Sequence, residues 1–433
     1  MRSVSLSLLD ELFLNLDSVE EPWGVHLEAR VSGRLDAERV AAALAAAARR
    51  HPLARARLAR AHPSDANYRW EVADALPAVP LAIAECRDEA ELAAARDRWF
   101  AVSPSLEAAP PFRLLLVHGP DGDALLINLH HAAGDGLGAL RLLRSILRAY
   151  AGEDDPAPAP DRPVLGDLHA LSGPRSPEER RARLQAHVRA TVAELVPAAR
   201  LAPAGGAPRP GYGFELLELS ADDTAALVAR RRPGTTVNDV LLAALAVTVR
   251  RWNERHDRPT ARIALTMPVN LRPTEWRKDV LGNFAAYATI SVAPADACDV
   301  ATALPAVADA TANVKRHGLA ASVVDGLVGP ALLPVAAKRR LQDLIPLTGN
   351  SVVDTATLSN LGVIDDLPEL GEAGSVRQLW FSPPMRMPLG AALGVVTVGG
   401  RLQVALRYRH PQFGGPDARA FVSSYRDVVL SAL

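Results

Sequence analysis

The 433-residue chain has little cysteine: only Cys86 and Cys298, which are far apart in sequence. That spacing suits neither a disulfide framework nor a zinc site, so the chain reads as a protein of a reducing, cytoplasmic compartment. It also lacks an excess of either charge. Forty-eight Lys and Arg against 49 Asp and Glu leave a formal charge of −1, without the basic surplus of a nucleic-acid binder or polybasic anchor. Long hydrophobic runs are missing too. The opening MRSVSLSLLDELFLNLDS mixes acidic residues into its apolar ones, unlike a secretory leader. The nearest approach to a membrane span, Leu319 to Ala337, is interrupted by Asp325, Gly326, Gly329, Pro330 and Pro334. A span needs about 18 uninterrupted apolar residues. This stretch is therefore expected to be buried or to line a groove, a place compatible with peripheral lipid contact. Neither GxxxxGK[ST] nor a GxGxxG after a strand occurs, so no phosphate-binding loop is expected.

What is present is an ordinary globular composition, 49% hydrophobic and 22% charged. The length suits two domains of about 200 residues each. Alternation predicts strands at Val25 to Val31, Tyr68 to Val72, Val79 to Ala84, Phe112 to Val117 and Ala124 to His131. Asp36 caps a helix whose Val40, Ala43, Leu44 and Ala47 share one face. The helix Leu137 to Tyr150 should point Leu140, Leu143, Ile146 and Leu147 inward and Arg141, Arg144 and Arg148 outward. A Pro- and acid-rich loop, Gly152 to Pro163, precedes a charged helix with Ser176 as N-cap and Pro177 at its first position. A flexible segment, Arg200 to Gly213, follows it. Beyond lie strands at Phe214 to Leu219, Arg262 to Pro268, Phe284 to Val292 and Ser351 to Ser359, with helices at Ala221 to Arg230 and Thr236 to Arg255. A hairpin through Gly399 and Gly400 and a closing helix complete the chain. Strands and helices interleave without a strict βαβ rhythm, which predicts mixed-sheet α/β sandwiches. The expected division is residues 1–175, a crossing helix and linker over 176–212, and residues 213–433.

The most informative stretch is LLINLHHAAGDG, Leu125 to Gly136. Strand side chains alternate, so Leu125, Ile127, Leu129 and His131 share one face, and Leu126, Asn128 and His130 the other. His131 extends an apolar wall, where poor hydration keeps an imidazole neutral and suited to general-base work. An unremarkable strand end would bury one histidine and expose its neighbour. Asp135, directly before a helix, is explained locally as an N-cap. The alternation sends the two histidines apart, and with fewer than three ligands converging no metal site is expected.

HHAAGDG matches the HHxxxDG pattern, and the chain resembles the condensation-domain superfamily of acyltransferases. That superfamily takes in chloramphenicol-acetyltransferase-like enzymes, condensation domains of nonribosomal synthetases, polyketide-associated acyltransferases and bacterial wax ester synthase/diacylglycerol acyltransferases. SLSLLDELFL, the helix and tail Leu35 to Leu58, PGTTVNDVLLAALA (Pro233 to Ala246), MPVNLRP (Met267 to Pro273), GNFAAY (Gly282 to Tyr287) and SNLG (Ser359 to Gly362) resemble segments of the same group. The resemblance implies two chloramphenicol-acetyltransferase-like halves in a V-shaped pseudo-dimer, with a central tunnel through which donor and acceptor reach His131 from opposite sides. It makes His131 the base and Asp135 an organiser of the turn, paired with an arginine for which Arg272 is the candidate. Gly136 would allow close backbone packing, and His130 would be structural. Asn238 would lie near the pocket with Asp239 structural, and Ser359 and Asn360 are further candidates for the pocket or oxyanion region.

The implied reaction moves an acyl group from a CoA or carrier-protein thioester to an alcohol or amine, with no bound cofactor and no covalent acyl-enzyme. Alternatives are a free-standing nonribosomal-peptide-type condensation enzyme of natural-product assembly, whose length this chain matches, and a catalytically degenerate homologue that binds a carrier or another partner. The sequence departs from two relatives. GAALGVVTVGG stands where plant BAHD enzymes carry DFGWG, and SNLGVID stands where wax ester synthases carry SNVPGP.

Overall fold

A computed structural model describes residues 2–155, 168–194, 196–258, 261–276, 279–340 and 353–432. Its first half begins with strand β1 (Arg2–Ser5), helix α1 (Leu8–Leu16), strand β2 (Gly24–Val31) and helix α2 (Ala37–Arg50). Strands β3 (Ala56–Leu58), β4 (Arg69–Val72) and β5 (Leu81–Glu85) lead to helix α3 (Glu89–Phe100), strands β6 (Phe112–His118) and β7 (Ala124–His130), and helix α4 (Gly136–Ala151). The cap at Asp36 is the one the sequence suggests, and Asp88 caps α3 in the same way. Asp36 accepts from the Arg39 amide at 2.7 Å, and Asp88 from Glu91 at 2.9 Å.

Helices α5 (Leu168–Ser172) and α6 (Pro177–Glu194) carry the chain across, with Ser176 accepting from the Glu179 amide at the start of α6. The second half contains β8 (Tyr212–Glu218), α7 (Ala221–Arg230), α8 (Val237–Arg255), β9 (Ile263–Asn270), β10 (Ala285–Val292), α9 (Val300–His317), α10 (Leu319–Ala331) and α11 (Val335–Lys338). It closes with β11 (Ala356–Ile364), β12 (Val376–Ser382), β13 (Ala391–Val398), β14 (Arg401–Arg409) and α12 (Gly415–Leu430). Gly399 and Gly400 both take positive φ, 56° and 75°, the backbone a two-residue type I′ hairpin turn requires.

The architecture is mixed α/β. One sheet runs β10-β9-β11-β13-β14-β8 and the other β12-β2-β7-β6-β5, with β1-β4-β3 as a small third. Helices α2 and α4 cover one face of the five-stranded sheet, where Leu125, Ile127 and Leu129 meet Leu44, Leu140 and Leu143. Helices α8, α9 and α12 cover the six-stranded sheet through residues such as Leu245, Val307 and Phe421. On the opposite faces, Leu115 and Leu126 of the five-stranded sheet and Phe100 of α3 pack with Tyr212, Phe214 and Ala392 of the second half. Arg407, fully buried in β14, ties this seam by donating to the carbonyls of Gly24 and Pro22 and lying over the Tyr212 ring.

Three features were not visible in the periodicity. Strand β12 leaves the second half and pairs antiparallel with β2, placing Phe381 opposite Leu27. Helix α1 bridges the halves: its Glu11 is paired with Lys338 at 2.6 Å, while Leu8, Leu12 and Leu16 pack on the second core. Arg141 and Arg144 are buried rather than outward, because Asp155 and Asp366 meet them at 2.8 and 2.6 Å and offset the desolvation of the guanidinium groups. The loop Gly152 to Pro163 lies outside the described residues beyond Asp155, as do the first two residues of the expected strand at Ser351. The apolar stretch at Leu319 is helical. It buries Leu319, Ala320 and Val324 and leaves Leu332 82% exposed.

Candidate active site

Strand β7 stops at His130, and a tight 3-10 turn over His131–Ala133 carries the chain into α4. Both faces of β7 are covered, so both histidines are buried, His130 at 2% and His131 at 8% exposure. Their environments differ. His130 Nδ1 accepts from the Ala132 amide at 3.1 Å, and its Nε2 lies 3.5 Å from Asp17. Both ring nitrogens of His130 therefore have protein partners, one of them the amide of the turn itself.

His131 faces the seam between the halves. Its backbone amide donates to the Trp23 carbonyl at 2.9 Å, and its ring stacks on Phe13 of α1 with centroids 3.8 Å apart. Nδ1 lies 3.1 Å from Asn283 Oδ1, whereas Nε2 has no protein partner among the described residues. Burial pushes the imidazole down to about 4, so it is neutral at physiological pH. Asn283 Nδ2 in turn donates to Asp10 Oδ1 at 2.9 Å, and burial pushes the Asp10 carboxyl up to about 6.

Asp135 is an N-cap and an ion-pair partner at once. Oδ1 accepts from the Gly138 amide at 2.9 Å and from Arg272 Nη2 at 2.8 Å. Oδ2 accepts from Arg272 Nη1 at 2.7 Å and from the amides of Phe284 and Ala285 at 2.8 and 3.0 Å. Burial would raise this carboxyl, but the Arg272 guanidinium and the amides more than offset it and hold it below the usual carboxylate range. The same group thus fastens the turn after His131 to the loop Val280–Phe284 of the other half.

The remaining candidates lie farther out in bonding terms. A Cβ on Gly136 would come within 2.8 Å of Leu361 and of Phe381, so glycine lets α4 approach β11 and β12. Asn238 donates to Met267 Sδ at 3.4 Å, and Asp239 forms the capping box with Thr236 and accepts from Thr311. Ser359 is buried on β11 opposite Gly394, and Asn360 accepts from the Gly362 amide. None of these five bonds His131. Asp10, Phe13 and Asn283, which do surround it, sit inside segments that sequence reasoning compared with relatives, but no local signal singled them out. A cleft of about 600 Å³ opens instead at the start of β7, between the Gly119–Asp123 turn, Arg30, Glu89 and Arg401, away from His131. Among the described residues there is no cluster of metal-ligating side chains. No described helix is long and apolar enough to cross a membrane.

Two facing α/β halves joined through an HHxxxDG turn define a chloramphenicol-acetyltransferase-like architecture of the condensation type. The chain belongs to the Condensation domain family, whose family model matches residues 12–320; that membership makes it a domain of the acyl- or peptidyl-transfer kind. It is 40% identical over 435 residues to an uncharacterised protein of Mycobacterium tuberculosis in two strains, H37Rv and CDC 1551, covering 99% of this chain and 100% of that one. Among solved structures it is similar to the first condensation domain of the CDA synthetase, with a TM-score of 0.72 and 17% identity over 100% of this chain and 96% of that one. It is similar also to SgcC5 of Streptomyces globisporus, with a TM-score of 0.68 and 18% identity over 99% and 98% of the two chains. The epimerization domain from the third module of tyrocidine synthetase B gives a TM-score of 0.66 and 16% identity over 99% and 97%.

Proposed function

We propose that this chain is a thioester-dependent acyltransferase in which His131 is the general base. The observation that carries the reading is a buried imidazole whose Nδ1 lies 3.1 Å from Asn283 Oδ1 while Nε2 has no partner among the described residues. In the proposed reaction Nε2 takes the proton of an acceptor hydroxyl or amine as that oxygen or nitrogen attacks the thioester carbonyl. The tetrahedral intermediate then collapses, the C–S bond breaks, and the imidazolium returns its proton to the thiolate. An ester or amide and a free thiol result, with no acyl-enzyme. Asp135 and Arg272 hold the turn that presents His131. Asn238, Ser359 and Asn360 remain candidates for the surrounding pocket.

The donor is an acyl group on phosphopantetheine, borne by a carrier protein or by CoA, and membership in the Condensation domain family favours the carrier. The acceptor is a small alcohol or amine. The three-part division at 1–175, 176–212 and 213–433 is proposed as the organisation. The test presents acyl-CoA and carrier-loaded acyl groups to the purified protein with alcohol and amine acceptors. His131→Ala should lower turnover roughly 100- to 10,000-fold, the usual contribution of a positioned base. Undiminished turnover in that variant would refute the mechanism. Turnover of the carrier-loaded group alone would restrict the donor to the carrier. Failure of both donors would favour a carrier- or partner-binding homologue.

A further inference from the structure

We propose that Asn283 is a positioning residue that holds His131 as its Nδ1–H tautomer, leaving the lone pair on Nε2. The proposal rests on the reading of His131 as base. Its ground is the set of partners around the Asn283 amide. One end, Nδ2, lies 2.9 Å from Asp10 Oδ1 and 2.5 Å from the carbonyl oxygen of His131 itself. A carboxylate and a carbonyl only accept, so the end facing them is the NH₂. Reversing the amide would set Oδ1 against both and leave two buried acceptors unpaired, an outcome that costs more than the bond itself. The other end, 3.1 Å from His131 Nδ1, is therefore the oxygen, and an oxygen at that distance requires the hydrogen on Nδ1.

Asp10 is in turn immobilised. Its Oδ2 accepts from the Ser7 amide at 3.0 Å, and its own amide donates to Ser7 Oγ at 3.1 Å, so the capping box of α1 consumes one oxygen and leaves Oδ1 for Asn283. Asp10 and Asn283 are both buried, which removes water as a competing partner. Phe13, on the same helix, stacks on the ring and fixes its plane. Helix α1 thus supports the imidazole at its edge through Asp10 and Asn283 and at its face through Phe13. A line of carboxylate, amide and imidazole gives the tautomer control that a directly bonded carboxylate would give, without placing a charge beside the base.

The test labels the full chain with ¹⁵N-histidine and reads the His131 ring nitrogens near neutral pH, with assignment by loss of signal in His131→Ala. The wild type should show a protonated Nδ1 and an unprotonated Nε2. Asn283→Ala should mix the tautomers and lower kcat roughly 10- to 100-fold, by analogy with removing a partner that orients a metal-bound imidazole, with KM little changed. A wild-type Nε2–H signal would overturn the proposal, as would an unchanged tautomer in folded Asn283→Ala. The wild-type spectrum decides even if the alanine variant does not fold. Mixed tautomers with unchanged turnover would leave Asn283 as the tautomer anchor and refute His131 as the base instead.

Discussion

Replacing Asp135 by alanine should be among the most damaging single changes outside the apolar core, and the structure supplies the magnitude. The carboxylate accepts two hydrogen bonds from Arg272 and one each from the amides of Gly138, Phe284 and Ala285. The side chains of Arg272 and Asp135 are 0% and 3% exposed. Asp135→Ala leaves a buried guanidinium with the Gly282 carbonyl at 2.8 Å and the Asn270 side chain at 3.2 Å as neutral partners. Breaking a buried pair from one side costs about 3–5 kcal/mol, mostly the desolvation of the stranded charge. Arg272→Ala should cost a similar amount, since it strands the carboxylate. The double variant strands neither charge, so its cost should fall well short of the summed single costs. Chemical denaturation of the four proteins, followed by tryptophan fluorescence, measures the cycle at neutral pH. The Asp135 carboxyl is depressed in the fold, so its contribution is complete above the ordinary carboxylate range and is lost only as pH falls through the depressed value. Single variants that each cost under about 1 kcal/mol, or single costs that simply add, would refute this account of a coupled, buried charge pair.

Two further outcomes follow from burial and close approach. His26, His51 and His131 are held neutral by burial, with His51 at about 3 and His131 at about 4. Unfolded histidines take up protons near pH 6.5. The unfolded chain therefore binds more protons between about pH 6.5 and 4, and stability should decline as pH is lowered through that window. Asp10 and Asp97, both raised to about 6, and Glu215 and Asp354, which burial also raises, work in the opposite sense, while His410 is lowered like the other three, so the decline should be clearest from pH 7 to pH 6. Melting temperatures that stayed level from pH 7 to pH 6 would contradict this. Gly136→Ala sets a Cβ 2.8 Å from the ends of the Leu361 and Phe381 side chains, which can shift, whereas Gly394→Ala sets one 1.9 Å from the Phe381 carbonyl oxygen, which cannot. Overpacking of the first kind costs about 1–3 kcal/mol, so Gly394→Ala should be the more destabilised, and equal melting temperatures would count against the close approach of β12 and β13.

What was legible in the sequence was local. The caps Asp36, Ser176 and Asp135 and the Gly399-Gly400 turn follow from residues within a few positions of themselves, whereas β7 ends at His130, so the 3-10 turn rather than strand alternation sets the direction of His131. What escaped was decided by register between distant segments. Nothing near Asn283 announces that it meets a histidine 152 positions away, nothing near Val376 announces pairing with β2, and Arg141 and Arg144 looked like a solvated face until Asp155 and Asp366 reached them. The acidic caps show why the miss was systematic. A carboxylate has two oxygens and about four acceptor positions, and an N-cap uses one. Asp135 spends one bond on Gly138 and has Oδ2 left for Arg272, Phe284 and Ala285; Asp10 spends Oδ2 on Ser7 and has Oδ1 left for Asn283. In both, the capping role explains the residue type completely and leaves unused acceptors, and burial then obliges those acceptors to find a second partner. In this chain the second partner lies in the opposite half in both cases, so the aspartates of the α1 capping box and the α4 N-cap also bind the halves together around His131.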